Sequence, residues 1–67
     1  MKELKIIGRN IARLRKEQGL TQEDLCGLAE IDRSYLSEIE NGKMNVTIKS
    51  LVQIAKSLKC NLSDLVQ

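Results

Sequence analysis

Residues 21–42 read TQEDLCGLAEIDRSYLSEIENG, and the fold turns on them. Thr21 is a preferred helix N-cap, and Asp24 three residues on completes a capping-box pattern. Glu23 and Asp24 put negative charge at the positive end of the helix that follows. Leu25, Leu28 and Ala29 form its expected inner face, and Cys26 is small enough to meet a neighbouring helix at close range. Glu30-Ile31-Asp32 is too short for a linker and reads as a tight turn. Ile31 plugs the angle, and Asp32 is placed to cap the next helix through the amide of Ser34 or Tyr35. That helix, from about Arg33 to Asn41, turns Leu36 and Ile39 inward at i, i+3 spacing. Arg33, Ser34, Tyr35, Ser37 and Glu38 are left outside. They are short, polar and mostly uncharged, offering donors and acceptors without bulk, as base edges require. Asn41-Gly42 ends the helix by the glycine route.

The flanks read as supports for this helix pair. A first helix is expected from about Leu4 to Gln18, with Ile7, Ile11 and Leu14 as its apolar stripe and Gly19 at its left-handed end. Gly8 lies inside it and is about 1 kcal/mol worse than alanine there, so close packing or simple tolerance must explain it. After a loop over Lys43 to Val46, Thr47 caps a helix from about Ile48 to Lys59. Its stripe is Ile48, Leu51, Ile54, Ala55 and Leu58. Asn61 caps a last short helix, Leu62 to Val66. The expectation is an all-α fold in one domain over residues 1–67, without repeats or linkers.

Composition narrows the function. With 42% apolar and 30% charged residues, the chain is globular rather than disordered. Proline, tryptophan and phenylalanine are absent, so the core must be aliphatic. No histidine is present, and Cys26 and Cys60 stand far apart, which excludes the usual zinc spacings and histidine-based catalysis. Both cysteines read as reduced thiols filling small spaces, with a disulfide between them as the alternative. No glycine-rich phosphate loop or activated nucleophile is legible, so no enzyme activity, metal or cofactor is expected. No apolar run approaches a membrane span and no signal peptide is legible, which makes the cytoplasm the expected compartment. Net charge is only +2, but it is unevenly spread: +4 over residues 1–18, −5 over 19–42 and +4 over 43–60. Basic segments around an acidic centre suit a protein that holds phosphates, or one with solvated helix faces.

Four stretches in order, IARLRKEQGLTQEDL, SYLSEIENGK, IKSLVQIAKSL and LSDL, cover nearly the whole chain. With them the sequence resembles the lambda-repressor and Cro-like helix-turn-helix family, also called the XRE family. DRSYLSEIE followed by NVTIKSL is similar to the controller proteins of restriction–modification systems. The resemblance implies a five-helix domain that regulates transcription as a homodimer on an inverted-repeat, double-stranded DNA operator. It implies base reading by Arg33, Ser34, Tyr35, Ser37 and Glu38, and backbone contacts from Gln22, Lys43, Asn45, Thr47, Lys49 and Ser50. Arg15 and Glu40 match a family pair that forms a structural salt bridge. Glu23 and Asp24 match positions where related activators touch RNA polymerase. Leu62, Leu65 and Val66, more apolar than a terminal stub needs, are the expected dimer interface.

Three departures from the family pattern stand out. Glu30 replaces a frequent glycine, Val46 a frequent proline and Cys26 a common alanine. A positive φ at Glu30 would strain that residue by roughly 1 kcal/mol. The alternative to a DNA reader is an antitoxin-like or anti-repressor module that binds protein. Such a module would show an apolar outer face on the helix beginning at Arg33.

Overall fold

In the computed structural model, residues 2–67 are described, and they form helices joined by short turns, with no strand among them. The helices are α1 (Lys2–Glu17), α2 (Gln22–Ala29), α3 (Arg33–Glu40), α4 (Ile48–Ser57) and α5 (Leu62–Val66). The expected all-α, five-helix architecture is thus observed. The α2 start is set by the capping box. Thr21 Oγ1 accepts from the Asp24 amide at 3.0 Å, and Asp24 Oδ2 accepts from the Thr21 amide at 2.9 Å. Asp32 caps α3 by accepting from the Ser34 amide at 3.1 Å. Thr47 caps α4 by accepting from the Ser50 amide at 3.1 Å.

Four helices end in one device. Gly19, Glu30, Gly42 and Lys59 each take a left-handed backbone, with φ of 72°, 56°, 70° and 57°. In each case the following amide folds back to a carbonyl five residues earlier: Leu20 to Arg15, Ile31 to Cys26, Lys43 to Glu38, and Cys60 to Ala55. This satisfies carbonyls that the helix end would otherwise leave bare. The strain expected at Glu30 is therefore real. Lys59 carries the same strain, and α4 stops at Ser57, short of the expected Lys59.

The core is aliphatic, and every helix feeds it. Ile11, Leu25, Leu36, Ile39, Ile54, Leu58 and Leu65 are each at most 1% exposed. Each such burial contributes about 1.5–3 kcal/mol relative to exposure. Two assignments to the inner faces are corrected: Leu28 is 59% exposed and Ile48 is 70% exposed. Leu28 lies at the last turn of α2, and Ile48 is the first residue of α4, where the stripe has not yet turned inward. Leu65 also needs correction. It was expected to stay open for a partner, but it is fully buried in its own chain's core, and only Leu62 and Val66 of that trio are exposed.

Gly8 settles as close packing. A Cβ there would lie 2.2 Å from the Ile39 carbonyl oxygen, so α1 rests directly on the end of α3. Two polar ties complete the frame. Asn10 Nδ2 donates to the Leu65 carbonyl at 2.9 Å, and Gln18 Nε2 donates to the Leu58 carbonyl at 2.6 Å.

Candidate nucleic-acid interface

The C-terminal end of α3 is held by an ion pair. Arg15 Nε donates to Glu40 Oε2 at 2.8 Å, and Arg15 Nη2 donates to Glu40 Oε1 at 3.0 Å. The third nitrogen, Nη1, donates to the Leu20 carbonyl at 2.8 Å. The hydrogen bond to Glu40 raises the arginine pKa above its ordinary value despite the opposing effect of burial. Gln22 joins the same acid, its Nε2 donating to Glu40 Oε1 at 3.1 Å. The salt bridge expected between Arg15 and Glu40 is present, and Gln22 fixes the start of α2 to the end of α3.

Toward its N-terminus α3 is open. Gln22, Arg33, Ser34, Ser37 and Glu38 line a shallow recess of about 350 Å³. Four of the five residues expected to read bases therefore converge on one surface. Arg33 opens α3 with its side chain 65% exposed, 3.8 Å from Glu23 Oε1. Sequence reasoning missed that contact. The two residues are ten apart across the turn, and no helical spacing signals the pair.

Tyr35 stands apart from the recess. Its ring is half-buried against the core, and its hydroxyl accepts from the Thr47 amide at 3.4 Å. Burial pushes its phenol up, but hydrogen bonds with Ser50 and Thr47 outweigh burial and leave it below the ordinary value. Tyr35 thus ties α3 to the start of α4.

The loop and the start of α4 divide in two. Lys43, Asn45 and Lys49 are exposed. Thr47 is exposed too, but its hydroxyl is engaged: it caps α4 and donates to Ser50 Oγ at 3.0 Å. Ser50, also expected to contact the backbone, is only 9% exposed. It faces Thr47 because the cap draws it inward. The thiols lie elsewhere: Cys26 is buried and Cys60 half-buried, they are unpaired, and burial pushes both pKa values up. No group of side chains suited to a metal occurs among the described residues, and no described helix is long and apolar enough to cross a membrane.

Known proteins resemble the chain in sequence and in fold. The helix-turn-helix family HTH_3 matches residues 11–65. The control protein C.MunI of a Mycoplasma species is 42% identical over 67 residues, spanning 97% of this chain and 90% of that protein. The uncharacterized HTH-type transcriptional regulator y4dJ of Sinorhizobium fredii is 40% identical over 62 residues, spanning 92% of this chain and 80% of that one. Among solved structures, the restriction-modification controller protein C.AhdI of Aeromonas hydrophila superposes with a TM-score of 0.93 at 32% identity, covering 97% of this chain and 98% of that chain. The chain belongs to the helix-turn-helix family.

Proposed function

We propose that this protein is a sequence-specific DNA-binding transcriptional regulator that acts as a homodimer on an inverted-repeat operator. The observation that carries the proposal is the polar recess of Arg33, Ser34, Ser37 and Glu38 on a helix braced at its C-terminal end by Arg15 and Glu40. A helix-turn-helix protein lays such a helix in the major groove. Arg33 is long enough to bond both O6 and N7 of a guanine, and Glu38 can accept from a cytosine amine. Ser34 and Ser37 suit any base edge. The Tyr35 hydroxyl, which accepts from the Thr47 amide, keeps its own proton to donate to DNA. Lys43, Asn45, Lys49 and the backbone around Thr47 take phosphates, as does Gln22 at the start of α2. Such contacts set register and not sequence. The outer face of α3 is polar, as a DNA reader needs and a protein-binding face does not.

Half-sites for such a dimer lie about 34 Å apart, one turn of DNA. Leu62 and Val66, exposed beside the buried Leu65, are the apolar positions from which a second copy is reached. The similarity to control proteins extends the proposal to control of restriction–modification genes. An activating contact with RNA polymerase would fall to Glu23, because the Asp24 carboxylate is occupied by Thr21, whose hydrogen bonds hold it below its ordinary pKa. At saturating protein, Glu23→Ala should then lower transcript yield; unchanged yield would remove the polymerase from the account.

Selection of duplexes from a random-sequence library tests the main reading. The expected product is a two-fold symmetric site bound by two chains in sedimentation. A selected site without symmetry, bound by one chain, would overturn it. Leu62→Asp with Val66→Asp should give a folded monomer; a variant still dimeric at micromolar concentration places the interface elsewhere.

A further inference from the structure

Lys5, Arg9, Ala12 and Lys16 stand at i, i+4, i+7 and i+11, so they fall on one line along α1. The three cations are exposed, and among the described residues none of them pairs with a carboxylate. Together with Gln22 they line an open recess of about 520 Å³, whose only acid is Glu40, already neutralised by Arg15. Gln22 also lines the recess on α3, so the two concavities share a wall. Gly8 and Gly42 fix the relation between them. A Cβ on Gly42 would lie 2.9 Å from the Lys5 Cα, and one on Gly8 would strike the end of α3. The cationic line is therefore set rigidly beside the base-reading helix.

From this juxtaposition we infer that Lys5, Arg9 and Lys16 form a second phosphate track, which grips the DNA backbone next to the phosphate at Gln22. The line is about 16 Å long, which matches the axial rise of four to five phosphates on one strand at about 3.4 Å each. Ala12 leaves the gap through which a backbone can approach. A merely solvated helix face would more often intersperse acids. Here Lys5, Arg9 and Arg13 repel one another at i, i+4 spacing, a disadvantage that a polyanion removes. The inference rests on the proposed function and adds to it a set of contacts from outside the helix-turn-helix.

The test is the salt dependence of binding. Wild type, the triple variant Lys5→Ala/Arg9→Ala/Lys16→Ala and the charge-keeping variant Lys5→Arg/Arg9→Lys/Lys16→Arg are titrated on the library-selected duplex and on an unrelated duplex of equal length. Circular dichroism confirms that all three are folded. The alanine variant should lose about 2–3 from the slope of log K against log salt on both duplexes, since each lost phosphate contact removes about 0.9. The ratio of the two affinities should stay within twofold, and the charge-keeping variant should retain the wild-type slope. Ethylation interference should lose phosphates adjoining the half-site in the alanine variant only. A folded alanine variant with the wild-type slope overturns the inference and leaves the proposed function standing. A wild-type protein that retains neither duplex overturns both.

Discussion

The Arg15–Glu40 pair closes at 2.8 Å with side chains 10% and 6% exposed, whereas Arg33 and Glu23 stand 3.8 Å apart with side chains 65% and 77% exposed. Both are arginine–glutamate pairs, and both touch α3. The buried one is saturated: every guanidinium nitrogen has a partner, and Gln22 shares the acid. Charges taken out of water demand that completeness, and once complete they hold one geometry. The exposed pair is worth about 0–1 kcal/mol and breaks at little cost. Arg33 can therefore exchange Glu23 for a base. One helix is fixed by its inner pair and left free at its outer one, and that division of labour is what a reading helix needs.

The comparison breaks most readily at its buried end. Arg15→Ala leaves Glu40 unpaired, and it should lower unfolding free energy by about 3–5 kcal/mol in urea denaturation. A change under about 1 kcal/mol would mean the inner pair behaves like a surface one. Leu65→Ala comes next, at about 2–5 kcal/mol, because Leu65 belongs to the core and not to a partner's surface. Loss of dimer mass at unchanged monomer stability would restore the interface reading of Leu65. Glu30→Gly works in the other direction. It relieves the left-handed backbone at the turn and should add about 1 kcal/mol, read as a higher melting temperature; a lower one would show that the Glu30 side chain has a role the turn does not explain. Glu23→Gln should move stability by less than about 1 kcal/mol. A larger loss would erase the distinction between the two pairs.

Much of this was legible in the residues, for reasons that differ by region. Thr21, Asp32 and Thr47 cap helices through short-range hydrogen bonds, so the sequence alone locates those starts to the residue. Gly19 and Gly42 announce their left-handed ends. Glu30 and Lys59 adopt the same geometry without announcing it, which is why the expected α4 runs two residues past its observed end. Leu28 and Ile48 fit a helical stripe by spacing, but spacing does not tell whether a neighbouring element covers the end of a short helix. The converging set of Arg33, Ser34, Ser37 and Glu38 followed from helical geometry. The departure of Tyr35 toward Thr47 did not, because it depends on where α4 begins in space. The Arg33–Glu23 contact likewise spans a turn whose angle no local pattern encodes.

The central claim is that the exposed polar side chains of α3 read sequence while its buried ion pair only holds the helix. Binding of Arg33→Ala to the selected duplex and to an unrelated one tests it most directly, with circular dichroism alongside. Unchanged helicity, and a loss of about 1–3 kcal/mol on the selected duplex with little change on the unrelated one, is the predicted result. Equal loss on both duplexes, or none on either, would contradict it.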